Sequence, residues 1–227
     1  MLIVVGASRG LGRALALELA TRADALVLSA RSEKDLEETR SLIAATHPSA
    51  RVYVEQLDLT DSGSLSNYVS RIVERGMALR GLVNTAAGFY KGPFTQQSEE
   101  DVENLISANY VGTVRLIHAI LSRVKTCNPC DIINVTSLSA ATTLDSTRSS
   151  SLHIATKAAL HLFGVSVGRE VVKEGIRVTS LAPGTLARKG RSGVKESTIV
   201  DCVKWLFELP NDAWIEEVVL RPTGFNS

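Results

Sequence analysis

Leu2-Ile3-Val4-Val5-Gly6-Ala7-Ser8-Arg9-Gly10-Leu11-Gly12 opens the chain with four apolar residues, then glycines spaced GxxxGxG, then apolar residues at helical spacing. An unbroken apolar run of this length suits a strand buried on both faces. Glycines at its end let the backbone turn sharply and allow close approach of an anionic group. The N-terminus of the helix that follows offers unpaired N–H groups and a partial positive charge. Strand, glycine turn and helix in this order form the context of a dinucleotide turn, although the spacing is not GxGxxG and glycines also mark ordinary tight turns. Gly6, Ser8, Arg9, Gly10, Leu11 and Gly12 are therefore the candidate contacts to a pyrophosphate.

The same alternation continues outward. Further strand-like runs fall at 25–29, 52–56, 82–84, 132–136, 177–181 and 218–220, and helical periodicity at 11–21, 33–45, 62–75, 99–124, 152–173 and 198–209. Strict alternation implies right-handed crossovers and an α/β fold, a doubly wound Rossmann-type sheet of about seven mostly parallel strands with helices on both faces. At 227 residues, without linker, repeat or low-complexity tract, the chain is expected to be one domain spanning 1–227, with the polar stretch 146–151 as a single loop.

Composition narrows the partners. A formal net charge of +1 with interspersed signs gives no footprint for nucleic acid or an anionic membrane, so a small-molecule substrate is expected. The chain starts in a strand with no charged leader, and no apolar run was expected to reach membrane-spanning length, which points to a cytoplasmic protein. Three cysteines make no disulfide framework, and Cys127-Asn128-Pro129-Cys130 reads as a pair of loop cysteines rather than a metal or redox site.

Ligands of such sheets bind beyond the carboxyl ends of the strands, so those segments carry the chemistry. After the second strand stands Arg31, where an acidic residue would hold the ribose of NAD; with Arg9 it is suited to the 2′-phosphate of NADP(H), although either arginine also suits a solvated surface. After the third, Leu57-Asp58-Leu59-Thr60 offers a carboxylate to the adenine amino group, while Thr60 or Asp61 also suits a helix cap. After the fourth, Asn84-Thr85-Ala86-Ala87-Gly88 supplies small residues for a flat cofactor or for helix packing.

In this order, and over almost the whole chain, these segments resemble the short-chain dehydrogenases/reductases. The resemblance implies an NADP(H) turn at Gly6–Gly12, an adenine contact at Asp58 and Leu59, and a cofactor wall at Ala86, Ala87 and Gly88. It implies an active-site asparagine at Asn109, anchoring a water relay, and a serine at Ser137, with Ser139 as fallback, to bond the substrate oxygen. Lys157 would hold the nicotinamide ribose, and Pro183, Gly184 and Thr185 would flank the nicotinamide. A homodimer or homotetramer through the helices around Asn109 and Lys157 is implied as well.

One position departs from the pattern. Four residues before Lys157, where the family has its catalytic tyrosine, stands His153 in Leu152-His153-Ile154-Ala155-Thr156-Lys157. Histidine transfers protons near neutral pH without assistance, but its ring reaches less far than a phenol. Lys157 one turn away would disfavour the imidazolium, leaving a neutral base suited to alcohol oxidation, or to carbonyl reduction at lower pH. Tyr90 is an alternative hydroxyl. The loop between Gly184 and the last long helix is short and basic, with Arg188, Lys189 and Arg191, which suggests an open site and an anionic or carrier-bound substrate, or simply a solvated loop. The resulting expectation is an NADPH-dependent oxidoreductase of a carbonyl/alcohol pair with Asn109, Ser137, His153 and Lys157 as catalytic residues and no metal. The alternatives are a non-catalytic NADP-binding sensor or scaffold, and non-redox elimination with His153 as base.

Overall fold

The computed structural model describes residues 1–90, 92–141, 150–188 and 192–223. Seven strands form one sheet in the order β3-β2-β1-β4-β5-β6-β7, and every neighbouring pair is parallel. The strands are β1 (Leu2–Val5), β2 (Leu26–Ala30), β3 (Val52–Gln56), β4 (Leu79–Asn84), β5 (Thr126–Val135), β6 (Ile176–Pro183) and β7 (Glu217–Leu220). Side chains alternate across a strand, so β1 sends Ile3 and Val5 into one core and Leu2 and Val4 into the other. The first core lies under α3 (Ser62–Glu74), α5 (Gly112–Arg123) and α7 (Ser151–Val171), the second under α1 (Gly10–Leu19), α2 (Glu33–Thr46) and α8 (Glu196–Phe207). The expected doubly wound sheet is thus present.

Local chemistry starts the helices where the sequence shows polar residues. The side chain of Ser32 accepts from Asp35 N to cap α2, Asp61 caps α3 through Ser64 N, and Ser150 caps α7 through His153 N. Ser98 and Asp101 form a reciprocal capping box on α4 (Glu99–Ile106).

Three features depart from expectation. Residues 99–124 are not one regular helix: a π-turn at Ser107–Val111 separates α4 from α5, with Asn109 at its middle. The combined run Glu99–Arg123 is, by length and composition, long and apolar enough to cross a membrane. Here its buried residues Leu116, Ile117 and Ile120 join the core. At Gly112, just past the π-turn, an added Cβ would fall 2.1 Å from the Leu59 carbonyl oxygen, so only glycine lets the helix touch the loop after β3.

Second, β4 and β5 extend well before their apolar runs. Their polar residues meet each other: buried Asp131 is bound by Arg177 Nε at 2.6 Å and by Arg80 Nη1 at 2.5 Å, while Arg177 Nη1 donates to the carbonyls of Leu209, Pro210 and Ala213. Third, Cys127 and Cys130 lie within β5 rather than in a loop. Burial pushes the Cys130 thiol up to about 12, which makes it inert, and no metal-binding cluster occurs among the described residues.

Candidate active site

The carboxyl ends of β1, β4, β5 and β6 converge on one edge of the sheet. At the first of these, Gly6 turns with φ of 85° and its N–H, like that of Ala7, donates to Ser29 O. An added Cβ on Gly12 would lie 2.1 Å from the Gly6 carbonyl oxygen, so strand and helix touch backbone to backbone. Arg13, not singled out from the sequence, braces this turn: its Nε and Nη2 donate to Ser8 O at 3.1 and 2.6 Å, and Nε also meets Thr39. The signal was available, an arginine one residue past the last glycine, but its partner Thr39 is 26 residues away.

Helix α1 has no side-chain cap and no acidic residue in its first turn. Its free N–H groups and positive end therefore remain available to an anion, which is the feature a diphosphate requires. Arg9 and Arg31 are both exposed, and neither joins an ion pair among the described residues. Asp58 is partly committed locally: its Oδ1 accepts from Thr60 N at 2.9 Å and from Thr60 Oγ1 at 2.7 Å. Leu59 is buried beside Gly112. Asp61, not Thr60, caps the next helix.

After β4, buried Asn84 holds its own loop. Oδ1 accepts from Ala86 N at 3.1 Å and Nδ2 donates to Thr113 at 3.0 Å, leaving Ala87 exposed at the strand end. Asn109, aimed by the π-turn, brackets the peptide of Gly88: Oδ1 accepts from Gly88 N at 2.6 Å and Nδ2 donates to Gly88 O at 3.1 Å. Its remaining amide hydrogen goes to Thr156 at 3.1 Å. Both amide hydrogens are therefore engaged with protein partners, while Oδ1 keeps one further lone pair.

His153 comes to the same carbonyl. Nδ1 lies 3.4 Å from Gly88 O, and the ring meets Phe89 edge to face at 5.5 Å between centroids. Burial, reinforced by Lys157, holds the imidazole below its ordinary value of 6.5, with the Gly88 contact opposing. Lys157 is 2% exposed; its Nζ donates to Val135 O at 2.8 Å and reaches Ala86 O at 3.5 Å. Desolvation pulls this ammonium down to about 8. Ser137 follows β5 and precedes the one-turn helix α6 (Leu138–Ala141); its Oγ accepts from Ser139 N at 3.3 Å. That bond uses an acceptor and leaves the hydroxyl hydrogen free to donate.

Tyr90 does not join this group, because its hydroxyl donates to Gln96 O within its own loop. Beyond β6, Gly184 N bonds Leu220 O, and Thr185 O accepts from Val194 N, closing the short loop on itself. Arg188 is exposed, while Lys189, Gly190 and Arg191, like most of the 146–151 loop, lie outside the described residues.

Comparison with known proteins gives a consistent result. Residues 1–197 match the family model for short chain dehydrogenase. An uncharacterized oxidoreductase of Staphylococcus saprophyticus is 28% identical over 228 residues, covering 97% of this chain and 96% of that protein. Among solved structures, an alcohol dehydrogenase from the archaeon Thermococcus sibiricus complexed with 5-hydroxy-NADP superposes with a TM-score of 0.85 at 25% identity, over 100% of this chain and 97% of that one. A metagenomic short-chain oxidoreductase in complex with NADP gives 0.82 at 24% identity, over 98% and 97%.

Proposed function

This chain belongs to the short-chain dehydrogenase family, and from that premise we propose that it is an NADPH-dependent oxidoreductase of a carbonyl/alcohol pair, with His153 as the acid/base. The observation that carries the reading is the meeting of His153, Asn109 and Gly88 beside a buried Lys157. The cofactor supports it too: two solved structures of similar shape are described with NADP or an analogue bound, and the uncapped α1, with Arg9 and Arg31 in no ion pair among the described residues, suits that group. Gly6, Ser8, Arg9, Gly10, Leu11 and Gly12 would hold its diphosphate, Arg9 and Arg31 its 2′-phosphate, Asp58 and Leu59 its adenine. Ala86 to Gly88, Lys157 and Pro183 to Thr185 would hold the nicotinamide half. When bound, NADP(H) gives or takes the hydride.

The protein's own part is proton control. With its Nδ1 hydrogen directed at Gly88 O, His153 keeps Nε2 as a free lone pair for the substrate hydroxyl. Asn109 fixes the same Gly88 peptide, bonding both its N–H and its carbonyl oxygen. Ser137 donates to the substrate oxygen. Burial and Lys157 keep His153 neutral at pH 7, so the resting site is a base and favours oxidation; reduction needs the imidazolium and hence lower pH. The exposed ring of Phe89, in contact with His153, forms one wall for the substrate. Assembly into a homodimer or homotetramer is part of the same reading.

The test is a fluorescence titration with NADPH and NADH, followed by turnover on a panel of alcohols and ketones. Arg31→Ala is expected to weaken NADPH by about ten- to a hundredfold and NADH little, since a charge-assisted bond contributes about 1.5–3 kcal/mol. His153→Ala is expected to remove turnover while keeping cofactor affinity. If instead the wild type is inert and His153→Tyr creates activity, the chain is a cofactor-binding sensor and the catalytic reading falls.

A further inference from the structure

Helix α7 carries three titratable residues one turn apart on one face, His153, Lys157 and His161. The first two meet the carbonyls of Gly88 and Val135. His161 is not used by the proposed chemistry, yet its side chain is 3% exposed and bonded at both ring nitrogens. Nδ1 lies 3.1 Å from the Thr136 hydroxyl at the end of β5, and Nε2 lies 2.5 Å from Oε1 of Glu217 on the edge strand β7. Ser180 of β6, in register with Glu217, donates to the His161 carbonyl at 2.9 Å and fixes this turn of the helix. Glu217 itself is half exposed, so the chain of groups runs from solvent to the residue that precedes Ser137.

The Thr136 hydroxyl has one hydrogen and two acceptors within reach, His161 Nδ1 at 3.1 Å and Leu181 O at 3.2 Å. Beside a carboxylate, Nε2 carries a hydrogen. If the ring is neutral, Nδ1 is then a bare acceptor and takes the Thr136 hydrogen. If the ring is an imidazolium, Nδ1 becomes a donor, and the Thr136 hydrogen turns to Leu181 O. Every polar atom stays bonded in both arrangements, and the bond between His161 and Thr136 reverses direction.

We propose that Thr136, His161 and Glu217 form a two-state hydrogen-bonded relay through which His161 acts as a positioning residue for Ser137 and Lys157. The proposal rests on the reading of those two as catalytic. Three consecutive residues leave β5: the carbonyl of Val135 holds Lys157, the hydroxyl of Thr136 meets His161, and Ser137 offers its hydroxyl to the substrate. Because both holders stand on one helix, the grip of His161 fixes the register of α7 against β5, and with it the spacing of His153 and Lys157 from Ser137. Protonating His161 adds a charge one turn from Lys157. Of the other charged groups on these elements, Arg169 of α7 pairs with Glu216 and Arg177 of β6 with Asp131 of β5 at the far end of the strands, while Glu170 of α7 is exposed nine residues beyond His161 and the acidic residues of α4 lie in its first two turns. Glu217 is thus the counter-charge to the ring.

The experiment combines kinetics with heteronuclear NMR of the His161 ring in the full-length protein. His161→Leu is expected to lower kcat about tenfold with the KM for NADPH held, since displacement of reacting groups by an ångström costs up to about a hundredfold. His161→Gln, which keeps a donor and an acceptor, is expected to recover most of the rate. In the wild type the neutral ring should carry its hydrogen on Nε2, facing Glu217, with Nδ1 accepting from Thr136, and Glu217→Gln should shift both ring-nitrogen resonances. A ring hydrogen on Nδ1 in the neutral form, ring-nitrogen resonances indifferent to Glu217→Gln, or an unchanged kcat in His161→Leu overturns the proposal. A wild type without turnover overturns the catalytic reading instead, and the ring measurements still decide the relay.

Discussion

Lys157 offers a case in which one substitution should raise stability while removing a site residue. In the unfolded chain its ammonium titrates near 10.5, whereas in the fold desolvation brings it to about 8. The difference is about 2.5 powers of ten in the protonation equilibrium, and at 1.36 kcal/mol for each this is ~3 kcal/mol. Above pH 10.5 both states are neutral and nothing is lost. As pH falls from there to about 8 the unfolded chain takes up a proton that the folded chain does not, so stability declines across that window and the deficit is complete below it. Lys157→Met keeps the length of the side chain and carries no charge to desolvate. Losing the bond to Val135 O takes back about 1 kcal/mol. The variant should therefore be ~2 kcal/mol more stable at pH 7 and ~1 kcal/mol less stable near pH 10.5. For a chain of this size the gain at pH 7 corresponds to a rise of about 4–8 °C in Tm. Urea unfolding of both proteins at pH 7, 8.5 and 10 measures the crossing. A variant that is less stable at pH 7, or a difference that does not change with pH, would refute the idea that Lys157 is held as a desolvated cation.

Two other predictions concern the acid/base and the turn. Since burial and Lys157 hold His153 below 6.5, the rate of alcohol oxidation should rise with pH and level off below pH 6.5, while carbonyl reduction should fall as pH rises through the same point; kcat/KM in both directions from pH 5 to 9 checks this, and an oxidation limb above 6.5 contradicts it. Gly12→Ala places a Cβ 2.1 Å from Gly6 O, so the first turn of α1 must move away from β1. That variant should lose about 1–3 kcal/mol of stability and most of its cofactor affinity, read by thermal unfolding and NADPH fluorescence.

The short, polar ends of the strands were where sequence and structure parted. Residues 82–84 and 132–136 were legible as strands because Leu82, Val83, Ile132, Ile133 and Val135 make them mostly apolar and β-branched, but the leading halves of β4 and β5 contain Arg80, Gly81, Pro129 and Asp131, which local pattern assigns to loops. Those halves are strands because Asp131 finds Arg80 and Arg177, at separations of 51 and 46 residues. The same limit hid the contacts of Asn109: its position was legible from the segment around it, but the π-turn that aims it and its grip on Gly88 were not.

By itself the sequence determined the doubly wound parallel sheet, the glycine turn, the likeness to short-chain dehydrogenases and the presence of a histidine four residues before Lys157. These are written in hydrophobic period, glycine spacing and short motifs, all of which act over a few residues. The tertiary structure alone decided that Asn109 and His153 share one carbonyl, that Tyr90 is tied to its own loop, that Cys130 is buried in a strand, and that His161 joins Thr136 to Glu217. Each is a hydrogen bond or a burial set by where β4, β5, β6 and β7 lie in the sheet relative to α7. A polar side chain of many possible partners takes its one partner only when packing has removed water and the others from reach.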